Sequence, residues 1–69
     1  MVKAILIDTK SLYIEGYKSI EYFDDYKIII SLNKRKSLQI SGQQLVIDSF
    51  GNYNLKITGI IDSIQYINN

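Results

Sequence analysis

This chain of 69 residues contains no His and no Cys. It therefore lacks the imidazole and thiol behind most nucleophile–base pairs, and the nitrogen and sulfur ligands of most transition-metal sites. Chemistry would have to run on carboxylates, Lys or Tyr. Asp24-Asp25 is an adjacent acidic pair, but neighbours on a strand point to opposite faces, and no Asp-x-Asp-x-Asp-Gly spacing is present to hold a cation. The pair reads as a solvated turn. Gly42-Gln43-Gln44 lacks the Lys and Ser/Thr with which a P-loop engages phosphate and magnesium. No catalytic, metal-binding or cofactor-binding residue is expected, and an enzyme is not the expected class.

Two features could serve binding. Lys34-Arg35-Lys36 is a basic run that, at a hairpin tip, could meet phosphate or an acidic partner, although a solvated loop needs no partner. It is the candidate surface-binding loop. Six Tyr residues, at positions 13, 17, 22, 26, 53 and 66, could stack on bases as in small oligonucleotide-binding barrels, which gives the alternative function of binding single-stranded nucleic acid. They are scattered over several segments without basic interleaving, so packing with the hydroxyl in water is the simpler reading. A net charge of +1 argues against strong nonspecific attraction to nucleic acid or anionic lipid, and nucleic acid is not the expected partner.

The elements that position these groups follow from a phrase used three times. Leu12-Tyr13-Ile14-Glu15-Gly16, Leu38-Gln39-Ile40-Ser41-Gly42 and Leu55-Lys56-Ile57-Thr58-Gly59 each place two branched side chains on one face of a strand, then a Gly that can turn or bend it. Gly16, Gly42 and Gly59 are the expected structural turns. Periodicity predicts strands over 2–8, 11–15, 18–23, 27–32, 37–41, 44–48, 54–58 and 60–67, and no helix. Ile28, Ile30 and Leu32 share one face of the best candidate for a central strand, with Ile29 and Ser31 on the other. The expected fold is all-β and fills one domain, 1–69. It is a small antiparallel meander forming a barrel or a two-layer β-roll, with a short β-solenoid-like stack as the alternative.

A domain this small buries only roughly 60% of its unfolded surface, and neither disulfide nor zinc is present to staple it. Fourteen Ile residues supply part of the difference. The first strand is apolar on both faces, Ala4 and Leu6 opposite Ile5 and Ile7, so a second copy is the expected cover. Ile5 and Ile7 are the candidate self-association residues of a homodimer or larger assembly. Apolar runs are far shorter than the ~20 residues of a membrane-spanning helix, and Met1-Val2-Lys3-Ala4 does not open a signal peptide. An intracellular protein without a transmembrane segment is expected.

In order, the chain reads Leu12-x-Ile14-x-Gly16-x-x-x-Ile20-x-x-Phe23-Asp24, then Leu38-x-Ile40-x-Gly42-Gln43-Gln44-Leu45-x-Ile47, then Leu55-x-Ile57-x-Gly59-x-Ile61-x-x-Ile64-x-Tyr66. This pattern, over residues 11–67, resembles the YabP/YqfC family of sporulation proteins. The resemblance implies a noncatalytic assembly or scaffold protein of the spore envelope, coat or cortex, made in the cytoplasm of the sporulating cell and binding itself or other sporulation proteins. It carries no catalytic residues. Asn33-Lys34-Arg35-Lys36 stands where relatives tend to turn with a Gly.

Overall fold

The computed structural model describes residues 3–8, 10–49 and 51–68, with backbone alone for 3–8 and 49. Six strands form one antiparallel sheet: β1 (Lys3–Asp8), β2 (Ser11–Glu15), β3 (Ser19–Phe23), β4 (Lys27–Ser31), β5 (Lys36–Ser49) and β6 (Asn54–Asn68). Their order is β1-β2-β6-β5-β4-β3. Strands β3 to β6 run as a meander, and β6 then returns to pair with β2. β1 and β3 are left as the two edges, so the sheet is not closed into a barrel. The all-β, antiparallel expectation holds; of the two expected closures the barrel does not, and antiparallel pairing throughout rules out a solenoid-like stack. No helix long and apolar enough to cross a membrane is found among the described residues.

Eight expected segments become six strands because the ladder passes through two of the glycines. Residues 37–41 and 44–48 belong to β5, and 54–58 and 60–67 belong to β6. At ~3.3 Å per residue a straight strand as long as β6 would reach roughly 50 Å, yet the longest extent of the molecule is 27 Å. Both strands must bend. The pairing register slips between Ser41 and Gly42 and again between Gln43 and Val46, and such bulges are how strands turn the corner from one layer to another. The first layer holds β1, β2, the first part of β6 and residues 46–49 of β5. The second holds β3, β4, the first part of β5 and residues 61–68 of β6.

The corner depends on two glycines placed reciprocally. A Cβ on Gly42 would overlap the Ile60 carbonyl oxygen, and one on Gly59 would lie 2.5 Å from the Gln44 carbonyl oxygen. Each strand gives up a side chain where the other's backbone crosses it. Gly59 also has φ +129 and the adjoining Gln44 φ +55, conformations that favour Gly and burden other residues. The bend is tied down by the Gly42 N–H donating to the Tyr26 carbonyl and the Leu45 N–H donating to the Asp25 carbonyl, both at 3.0 Å.

Folding the sheet over brings its apolar faces together. Leu12, Ile14, Leu55 and Ile57 of the first layer, Ile28, Ile30, Leu38 and Ile40 of the second, and Leu45 at the corner form one cluster, all at most 1% exposed. Such burial needs cover from the opposite layer, since a lone sheet leaves both faces in water. Every Leu and Ile of the three Leu-x-Ile phrases lies in this core. β4 is flanked by β3 and β5, as its apolar density requires, with Ile28 and Ile30 inward.

Gly42→Val is expected to reduce stability by about 1–3 kcal/mol, because the side chain meets backbone that cannot yield. Gly51→Ala, where φ is +68 but the nearest atom to the new Cβ is Asn54 Nδ2 at 3.5 Å, is expected to reduce it by about 1 kcal/mol. In a domain of this size each kcal/mol moves Tm by roughly 4–8 °C. Thermal melts should therefore rank Gly42→Val well below Gly51→Ala, and an unshifted Tm for Gly42→Val would refute the crossing.

Candidate protein-interaction surfaces

The basic run is divided by the fold. Lys34 and Arg35 sit in the turn between β4 and β5, where Asn33 Oδ1 accepts the Arg35 N–H at 2.8 Å and the Lys36 carbonyl accepts the N–H groups of Leu32 and Asn33. Asn33 thus supplies through its side chain the turn that a Gly supplies through its backbone. Lys36 opens β5 and sets its ammonium 5.1 Å from the centre of the Tyr66 ring. Only Lys34 lines a groove. The Tyr residues are likewise separated: Tyr17 and Tyr53 at that groove, Tyr22 and Tyr26 about the β3–β4 turn, Tyr13 on β2 and Tyr66 on β6. No continuous stacking track joins them. Ile5 and Ile7 belong to β1, which among the described residues is an edge paired with β2 alone, but their side chains lie outside the described residues.

The sheet offers strand edges of unequal protection. β3 is five residues long, bulged between Ile20 and Tyr22, carries Glu21, and is flanked by Lys18 and Asp24. Natural sheets blunt edges against pairing by these means. Residues 46–49 of β5 form a short edge with Asp48 in it. Residues 61–68 of β6 differ. Among the described residues they pair with β5 on one side only, their register runs unbroken from Ser41↔Ser63 to Lys36↔Asn68, and Asp62 is their one charged residue. Ile64 and Tyr66, opposite buried Ile40 and Leu38, face inward beyond the cover of the first layer, which leaves Tyr66 59% exposed.

At one end of the roll a groove of about 660 Å³ opens between three segments distant in sequence: Gly16, Tyr17 and Lys18 between β2 and β3, Leu32, Asn33 and Lys34 between β4 and β5, and Tyr53 before β6. Gly16, at φ +76, donates its N–H to the Tyr53 carbonyl at 2.8 Å, and the Lys18 N–H donates to the Ser31 carbonyl at 2.7 Å, which fixes the walls. Tyr17 and Tyr53 meet edge to face, ring centres 6.4 Å apart. Tyr53 holds φ +62, a conformation uncommon for a bulky residue and the sort of local strain that gathers at binding sites. Sequence periodicity gives no sign of it.

At the other end of β3 and β4 a rigid tip is organised by one carboxylate. Asp24 Oδ1 accepts the N–H groups of Tyr26 and Lys27, both at 2.7 Å, and Oδ2 accepts the Tyr22 hydroxyl. The Tyr22 hydrogen bond, then that of the Tyr26 N–H, hold the Asp24 carboxyl below the usual carboxylate range, and the same carboxylate pushes the Tyr22 hydroxyl up. Asp25 and Tyr26 are left exposed.

Because the folded state depresses this pKa, Asp24 stabilises the fold fully above the ordinary carboxylate range, and the contribution is lost as pH falls through the lower folded value. Asp24→Asn is therefore expected to lower Tm at neutral pH, and the gap from the wild type should close as pH drops below the usual carboxylate range. A gap independent of pH would show that the charge of Asp24 does not support the turn.

The family model described as the YabP family matches residues 2–69, a wider span than the 11–67 over which the motifs are legible. Comparison with curated proteins and with solved structures gives no match. The match extends over all three Leu-x-Ile-x-Gly phrases and the strands they build, and the chain belongs to the YabP family, which is associated with sporulation.

Proposed function

We propose that this chain is a noncatalytic assembly protein that helps build the spore envelope, coat or cortex, in the cytoplasm of the sporulating cell, and that it works by protein–protein contact, with copies of itself first. The observation that carries this reading is the unprotected edge at residues 61–68. An edge of that length, without Pro or Lys and nearly without charge, is a template for another strand. Membership of a sporulation-associated family supports the setting.

Antiparallel pairing of this edge with its own copy about a two-fold axis at Gln65 sets Ile64 against Tyr66 of the second copy, twice. Aromatic and β-branched side chains directly opposite one another stabilise sheets. An axis at Ile64 would instead oppose Tyr66 with Asp62, so the Gln65 axis is the favoured register.

Light scattering after size exclusion should show more than one chain per particle at micromolar concentration. Gln65→Lys, which sets two like charges opposite each other at the axis, should weaken the dimer without unfolding an exposed position. The chain has no Cys, so Gln65→Cys provides one thiol per copy. Directly opposed residues lie ~4.5–5.5 Å apart between Cα atoms, within disulfide reach. Mild oxidation should therefore yield a covalent dimer. A monomer across the range, or a Gln65→Cys protein that fails to cross-link while assembled, would contradict the edge pairing.

A further inference from the structure

The two ends of the second layer are opposite in charge and alike in aromatic character. The groove is lined by Lys18, Lys34, Tyr17 and Tyr53, and no carboxylate lines it. The nearest acid in sequence, Glu15, is engaged with the Tyr13 hydroxyl, whose pKa is raised by burial and then by that carboxylate. One strand length away, about 17 Å for five residues, the turn between β3 and β4 presents Asp25 and Tyr26, the latter 67% exposed. This tip is preorganised. Asp24 closes the turn, and the Tyr26 and Asp25 carbonyls accept N–H groups from Gly42 and Leu45 at the bend, while both side chains are exposed. The groove walls are hydrogen-bonded as well. Docking one end on the other would therefore lose little conformational freedom.

We propose that the groove between Tyr17, Lys18, Lys34 and Tyr53 receives the Asp25–Tyr26 tip of a second copy of this chain, joining copies head to tail. The Asp25 carboxylate lies between the Lys18 and Lys34 ammonium groups, and the Tyr26 ring covers the Tyr53 ring and the floor at Leu32. The groove volume of about 660 Å³ falls within the ~300–1,000 Å³ of clefts that hold ligand-sized groups. Charge complementarity selects the second copy as occupant: the tip carries Asp24 and Asp25 against Lys27, whose ammonium lies 5.1 Å from the Tyr22 ring, and so is acidic in balance, whereas the groove is lined by Lys18 and Lys34. Single-stranded nucleic acid fits less well, because a strand needs a continuous track of cations and stacking rings along its backbone, and here the Tyr residues are dispersed over separate segments while the groove holds only Tyr17 and Tyr53. A contact between two different surfaces does not close on itself; it yields rings or filaments. The inference rests on the reading of the chain as an assembly protein, but on a surface separate from the β6 edge.

The test uses the Gln65→Lys chain, in which edge pairing is weakened, and follows its size by sedimentation velocity against concentration and salt. Self-association should persist, and should weaken as salt approaches about 1 M, where the screening length is ~3 Å. Asp25→Lys alone, or Lys18→Glu with Lys34→Glu, should each reduce it about ten-fold or more through like-charge contact. A 1:1 mixture of the two charge-reversed proteins should recover it, since each tip then meets a groove of opposite sign. Unchanged Tm values for these exposed positions confirm intact folds. Association indifferent to both reversals, or a mixture no better than its components, overturns the proposal. A Gln65→Lys protein that stays monomeric while the wild type dimerises also overturns it and leaves the edge pairing standing. Recovery in the mixture without any Gln65→Cys cross-link supports the head-to-tail contact and removes the edge. A groove that binds poly-glutamate or oligothymidylate in a chain that does not self-associate belongs to another partner and overturns the second-copy assignment.

Discussion

The crossing of β5 and β6 at Gly42 and Gly59 is the constraint on which the molecule depends. Two strands of 14 and 15 residues can turn from one layer to the other only if each admits the other's carbonyl where a Cβ would stand. That corner stacks the two halves of one continuous sheet, and the stacking buries the core. Without it the Leu and Ile residues of β2 and β4 would face water, and a chain with no disulfide or metal has no other way to cover them. The same corner fixes the molecule's outside. It carries residues 61–68 away from β2, which leaves their second edge unpaired, and it anchors the Asp25–Tyr26 tip through the Gly42 and Leu45 N–H groups.

Much of the interior is legible in the sequence. The alternation of Leu12 with Ile14, Leu38 with Ile40 and Leu55 with Ile57 marks the buried face of three strands, since side chains two residues apart share a face wherever the strand is placed. The continuity of β5 through Gly42 and of β6 through Gly59 is not legible. A lone Gly between apolar runs reads equally as a turn or as a bend, and the choice is set by which backbone crosses it. Nor does periodicity show that β2 pairs with β6 and not β3. That pairing joins residues from Glu15 with Asn54 to Ser11 with Thr58, far apart in sequence, and no local preference encodes it.

The binding surfaces were less legible than the core for the same reason. Lys34-Arg35-Lys36 stands out as a charge run, but the fold sends Lys36 to Tyr66 and keeps only Lys34 at the groove. Lys18, Tyr17 and Tyr53 carry no sign in the sequence that they will meet it. They converge because the connections leaving β2, β4 and β5 reach the same end of the roll. Tyr53 in the left-handed region follows Gly51-Asn52, two residues better suited to that backbone. Asp24-Asp25, a solvated turn in sequence, separates into one carboxylate that builds the turn and one that is exposed.

The two proposed contacts, a two-fold pairing of the β6 edge and a head-to-tail docking of tip on groove, would together be a combination from which extended layers grow. The edge is the more basic of the two, because it requires only backbone groups that the corner has already left unpaired. Amide hydrogen exchange across residues 61–68, measured as protein concentration rises from nanomolar to micromolar, tests it most directly. The outward-facing amides should exchange quickly in dilute protein and become protected as copies pair, while the core amides of β4 stay protected throughout. Fast exchange along this edge at every concentration, in a protein that nonetheless assembles, would contradict the account.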